Sequence, residues 1–164
     1  MKNFLLISIF AFISFNVIAQ NKVASAAYQS MLDSLLTHSV NEIMVQNVNS
    51  DDDVVFLDTR AKKEFKVSHI KGAQWVGFLS FHKRKVKDIP KDKKIILYCS
   101  VGYRSEKIAE KLVNEGFTNV YNLYGGLFEW VNEEKGVVND KGPTLEVHPY
   151  DDWGQWLYKG IKTY

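Results

Sequence analysis

Lys94-Ile95-Ile96-Leu97-Tyr98-Cys99-Ser100-Val101-Gly102-Tyr103-Arg104-Ser105, continued by Glu106 to Gly116, is the stretch from which the fold follows. Its unbroken apolar run, opened by lysines and closed by the chain's single cysteine, reads as a short strand buried on both faces, as in a parallel sheet. After the loop, Ile108, Ala109, Leu112 and Val113 recur at helical spacing, and Gly116 stands where a helix calls for a left-handed cap. Cys99 therefore lies between the carboxyl end of a strand and the amino end of a helix. The first turn of a helix leaves backbone N–H groups unpaired and carries partial positive charge, so it holds anions. A thiolate is such an anion. Gly102 lets the loop backbone turn inward, so that successive N–H groups converge on one point.

The same alternation extends on both sides. Val54-Val55-Phe56-Leu57-Asp58 is a second apolar run, Ala61 to Val67 reads as a helix with Phe65 inward, and Trp75-Val76 follows the His69-Ile70-Lys71-Gly72-Ala73 segment. Gly77 to Ile89 reads as a loop with short helical turns, closed by Pro90. Val120-Tyr121 marks a last short strand, and Tyr124-Gly125-Gly126 turns into a helix carrying Leu127, Phe128 and Trp130. Upstream, Glu42 to Val45 is a strand candidate, and Ala27, Met31, Leu32, Leu35 and Leu36 give an amphipathic helix within Ala24–His38. Strands alternating with helices imply an α/β fold: a doubly wound, mainly parallel five-stranded sheet flanked by helices.

Taken together, these segments resemble the rhodanese family of sulfurtransferases. Its active-site loop is written Cys-x-x-Gly-x-Arg or Thr, and here it stands as Cys99-Ser100-Val101-Gly102-Tyr103-Arg104. Leu57-Asp58-Thr59-Arg60, Glu64-Phe65, His69 to Ala73, and Gly125-Gly126 followed by Trp130 match in the family's order, over roughly Ile43 to Glu134. The resemblance implies that Cys99 is the nucleophile and carries a transferred sulfur as a persulfide. The backbone N–H groups from Ser100 through Ser105, those of Val101 and Gly102 among them, would bind substrate by stabilising the negative outer sulfur, Arg104 would attract an anionic donor, and Ser100 and Tyr103 would set the entrance and its polarity. A small donor (thiosulfate or a persulfide) and a thiol or cyanide acceptor are the expected partners, with a protein thiol as a further one and no cofactor. Many thiosulfate-using members carry a basic residue directly after the cysteine; Ser100 leaves one cation fewer for a dianionic donor. Ser68 replaces the usual glycine before the His-Ile pair.

Asp58 and Arg60 fall at the carboxyl edge of the sheet, where open α/β folds place their ligands. They either border the cysteine pocket or brace its loop as an ion pair without touching substrate; the brace is the favoured reading. His69 reads as a hydrogen-bonded structural residue. None of the four histidines has metal-ligand spacing and a lone cysteine makes no zinc site, so no metal is expected.

Two rivals to sulfur transfer stand beside it. Cysteine-dependent phosphatases hold an oxyanion in a loop with five residues between Cys and Arg, whereas four separate Cys99 from Arg104. A rhodanese-like module without turnover, binding sulfide or persulfide or sensing redox state, fits the same residues.

Met1-Lys2-Asn3 before the apolar Phe4–Ile18, with Val17-Ile18-Ala19 at its end, reads as a secretory signal over residues 1–19, with a retained membrane anchor as the alternative. Residues 20–42 form a helical lead-in, 43–135 the domain, and 136–164 an extension whose aromatic residues pack on it. Export to the periplasm or beyond leaves Cys99 a lone thiol with no intramolecular disulfide partner. With 21 basic and 19 acidic residues and no long run of like charge, no nucleic-acid partner is expected, nor a membrane once the signal is removed.

Overall fold

Five parallel strands carry the molecule. The computed structural model describes residues 23–49 and 53–164; the stretch expected at 1–19 to be a secretory signal lies outside them. In chain order the elements are α1 (Ala26–Leu35), β1 (Asn41–Ile43), β2 (Val54–Asp58), α2 (Lys62–Val67), β3 (Gln74–Trp75), β4 (Lys94–Tyr98), α3 (Tyr103–Asn114), β5 (Val120–Leu123) and α4 (Gly126–Asn132). The sheet order is β1-β5-β4-β2-β3, with every neighbouring pair parallel.

β4 is the central strand, pairing with β2 on one side and β5 on the other. Its residues alternate between two cores. Ile95 and Leu97 join Leu57 of β2 and Ile108, Ala109 and Leu112 of α3 on one face. Ile96 and Tyr98 join Tyr28 and Leu32 of α1 and Leu127 and Phe128 of α4 on the other. Both faces are thus covered, which is why the run has no polar alternation. Burying each such side chain stabilises the fold by roughly 1.5–3 kcal/mol.

Three readings of the sequence are corrected. α1 is shorter than expected because Leu36 is extended, and its buried residues are Tyr28 and Leu32, with Ala27 exposed. Tyr28 wins the inward position because its hydroxyl donates to the Gly125 carbonyl at 2.7 Å, which satisfies its polar end inside the core. β1 starts at Asn41, and Val45 already opens a 3-10 turn. In α2 the wholly buried side chain is Glu64, while Phe65 is half-buried and stacks on the His69 ring at 3.9 Å.

Beyond α4 come β6 (Val137–Asn139) and β7 (Gly142–Thr144), an antiparallel pair, then β8 (Glu146–Val147) and β9 (Ile161–Lys162), a parallel one. A 3-10 turn, Asp151–Trp156, lies between β8 and β9. Val137, Val147 and Leu157 are buried in the same core as Ile96. Asn132 fastens this extension, donating to the Trp156 carbonyl at 3.0 Å and accepting from the Tyr158 amide at 2.8 Å. Among the described residues no helix is long and apolar enough to cross a membrane.

Candidate active site

Cys99 follows β4 directly, and α3 begins at Tyr103. Gly102 has φ +116°, a conformation that L side chains rarely adopt, and this turn brings its amide back to donate to Cys99 Sγ at 3.1 Å. Glu106 N–H bonds the Gly102 carbonyl at 3.0 Å, so the amides of Tyr103, Arg104 and Ser105 precede the first intrahelical bond of α3. The Ser105 hydroxyl lies 2.9 Å from the Gly102 carbonyl and 2.7 Å from the buried Asn122 side-chain amide, which steadies the bend.

The loop is also held from behind. Leu127 and Phe128, in the first turn of α4, donate their amides to the carbonyls of Cys99 at 2.8 Å and Ser100 at 3.0 Å. A Cβ at Gly126 would stand 2.6 Å from both carbonyl oxygens, so the approach of α4 to the loop requires a glycine there.

Arg104 is spent on an internal partner. Its Nη1 and Nη2 each lie 2.8 Å from an oxygen of Glu64, a two-pronged pair, and Nη2 also donates to Ser100 Oγ at 3.0 Å. Glu64 takes a further bond from the Ala61 amide at 2.8 Å. Burial alone would raise the Glu64 carboxyl, but Arg104, the Ala61 amide and the charge of Arg60 together hold it below the usual carboxylate range. For Arg104 burial works against the charge, and the bond to Glu64 together with that carboxylate's charge more than restores it. The structure therefore differs from the expectation that Arg104 offers its charge to a donor. That charge is matched, and the side chain ties the loop to α2. Glu64 is the loop-supporting residue the sequence reading missed. Its signal was present in the Glu64-Phe65 motif, but a glutamate in the first turn of a short helix reads as solvated.

Asp58 and Arg60 form a pair whose side chains are both 0% exposed, with Nη2 to Oδ2 at 2.7 Å. Arg60 Nη2 also donates to the Ser68 carbonyl at 2.5 Å, and its backbone amide donates to Asp58 Oδ1 at 2.8 Å. This is bracing geometry at the sheet edge. His69 has Nδ1 2.9 Å from the Phe65 carbonyl, a structural setting.

Cys99 lies against a cleft of about 700 Å³. Of the sequence-derived candidates, Cys99, Ser100, Val101, Tyr103, Arg104 and Arg60 line it, whereas Gly102, Ser105 and Asp58 do not. Cys99 itself is 1% exposed, more buried than reactive thiols generally are. Tyr150 and Trp153, from the extension, and Leu35, from α1, complete the wall; sequence reasoning placed none of them there. Among the described residues no group of three or more His, Cys, Asp or Glu side chains is arranged to hold a metal ion.

The chain is 36% identical over 106 residues to a tRNA uridine(34) hydroxylase of Hamiltonella defensa, covering 62% of this chain and 28% of that protein. It is 39% identical over 87 residues to the tRNA uridine(34) hydroxylase of Acinetobacter baumannii, covering 50% and 28%. The chain thus spans under a third of the curated relatives' length, and the activity in their name is theirs as whole proteins. Among solved structures, a rhodanese-related protein from Thermoplasma volcanium aligns with TM-score 0.54 and 26% identity, over 60% of this chain and 98% of that one. A thiosulfate sulfurtransferase from Pseudomonas aeruginosa aligns with TM-score 0.58 and 19% identity, over 67% and 23%, a likeness of fold alone. The model of the rhodanese-like domain matches residues 41–133, from the first residue of β1 to just past the end of α4. Since that segment is more than half of the chain and contains the whole parallel sheet with its cysteine loop, the protein belongs to the rhodanese-like domain family.

Proposed function

We propose that the protein is a sulfurtransferase that moves a sulfane sulfur through a persulfide on Cys99. The observation that carries this reading is the Gly102 amide donating to Cys99 Sγ at the junction of β4 and α3, where Cys99 lines a cleft. The Cys99 thiolate attacks the outer sulfur of the donor, and the donor's S–S bond breaks. Sulfite leaves if the donor is thiosulfate, and a thiol leaves if it is a persulfide. An acceptor thiolate or cyanide then attacks the outer sulfur of the Cys99 persulfide and releases the Cys99 thiolate, so the cycle is ping-pong. The Gly102 amide and the first-turn amides of α3 favour negative charge at the sulfur in every state of that cycle. The basic, then apolar, amino-terminal stretch supports export to the periplasm or beyond.

The deep burial of Cys99 favours one other reading, a module that binds or senses sulfur species without turnover. Intact mass spectrometry of the reduced protein after incubation with thiosulfate and, separately, with a persulfide separates the two. A gain of one sulfur atom, discharged by added thiol and lost in Cys99→Ser, is the result expected of the enzyme. A sulfur that loads but is not discharged would favour the binding module. No adduct, with Cys99 still open to alkylation, would sink the transfer reading.

A further inference from the structure

Part of the wall above Cys99 is built by residues outside the family-matched segment. Leu35 comes from α1, and Tyr150 and Trp153 from the turn after β8, beyond residue 133. Tyr150 lays its ring over the Arg104 guanidinium at 4.3 Å from the ring centroid. It does so with φ 49°, beside Asp151 at φ 53°. Two consecutive non-glycine residues in the left-handed region persist only where their surroundings over-determine them, and such strain collects at ligand sites. The surroundings here are visible: the Tyr150 amide donates to Nδ1 of the buried His148 at 3.1 Å.

Size and charge both disagree with a small dianion as the natural donor. A cleft of about 700 Å³ is in the range that takes organic ligands of ~300–1,000 Å³ sites, whereas thiosulfate is a compact inorganic ion. Two of the cations lining the cleft, Arg60 and Arg104, are matched by the buried carboxylates of Asp58 and Glu64. Lys62 lines the cleft with its ammonium over the rings of Phe65 and Trp75, 4.7 Å from each centroid. A dianion approaching the Cys99 thiolate therefore meets the charge of one lysine among the described lining residues. An apolar body meets Trp75, Phe78, Tyr150 and Trp153.

Resting on the sulfurtransferase reading, we infer that the donor is an organic persulfide with an apolar or aromatic body, and that Tyr150 and Trp153 select it. Cys99 takes the outer sulfur of R–S–SH, the S–S bond of the donor breaks, and the inner sulfur leaves with the proton as R–SH. The transferred sulfur keeps its oxidation state, so no external oxidant or reductant enters.

The test measures the rate of sulfur loading on Cys99 in the whole reduced protein, by quenched intact mass spectrometry, with benzyl persulfide, glutathione persulfide and thiosulfate over a range of concentrations. Half-maximal loading is expected at a concentration about tenfold lower for benzyl than for glutathione persulfide, with thiosulfate higher than both. Trp153→Ala and Tyr150→Ala should each narrow the ratio between the two persulfides by about fivefold, and Trp153→Phe should keep it. Equal half-saturation for the two persulfides, or thiosulfate saturating first, would overturn the inference, and the wild-type comparison alone decides this if a variant does not fold. Variants that weaken both persulfides alike would overturn it too, since that is what loss of loop support does. Sulfur on Cys99 without preference sinks this inference alone, whereas no sulfur from any donor sinks the transfer reading with it.

Discussion

Glu64 shows most clearly what a single side chain does here. Its carboxylate is buried and faces an Arg104 side chain that is 12% exposed, so removing its charge strands a guanidinium under the loop. Glu64→Gln should cost about 3 kcal/mol at neutral pH, the low end for breaking a buried pair because Arg104 retains some solvent. The sign with pH follows from the depressed Glu64 carboxyl. Its stabilisation is complete above the unfolded-state value of about 4.3 and is lost as pH falls through the lower folded-state value. Urea unfolding of wild type and variant should thus differ by a constant amount near neutrality and begin to converge only below about pH 4. A difference that ignores pH would mean that Glu64 acts through shape. At this scale the sequence showed Cys99 and Gly102, because one ends an apolar run and the other stands where a loop must reverse. It hid Glu64, whose partner is 40 residues away and whose helix is too short to display a buried face.

Between elements, the loop is clamped by α3 in front and α4 behind. The clamp from α4 works only because Gly126, at φ +59°, allows its amides to reach the Cys99 and Ser100 carbonyls. In Gly126→Ala the new Cβ meets rigid backbone oxygens, so the loop must move, and a shift near 1 Å in a reacting group costs on the order of 10²-fold in rate. Gly72→Ala is the control: φ is +78° there and nothing lies within 4 Å, so only backbone strain is added. Single-turnover sulfur loading should separate the two, and equal rates would show that α4 does not position Cys99. β4 and α3 were legible from an unbroken run and a 3.6-residue period. The face of α1 was not, because aliphatic spacing favours Ala27 and Met31, while a hydroxyl bond to Gly125 and a ring stack on Trp156 draw Tyr28 inward.

Across the whole molecule, the two ends of the described chain meet on the face of the sheet that carries α4. Tyr28 of α1 stacks on Trp156 of the extension with centroids 5.3 Å apart and planes 12° from parallel, and Tyr158 meets it edge-on at 6.5 Å. The Ala24 amide donates to Glu129 Oε1 of α4 at 2.6 Å, and Tyr28 bonds the Gly125 carbonyl. The aromatic content of the extension indicated that it packs. Where it packs was not legible, since the contact joins residues more than a hundred positions apart and lies outside the matched segment. If lead-in and extension support each other, Tyr28→Leu and Trp156→Ala should not be additive. A double-mutant cycle by urea unfolding should give a coupling of about 1 kcal/mol, the size of a stacked pair beyond its buried area. Tyr28 reaches Gly125, and the extension reaches Arg104 through Tyr150, so each of the two segments touches a neighbour of the Cys99 loop. A coupling within about 0.3 kcal/mol of zero would mean that the two segments dock separately.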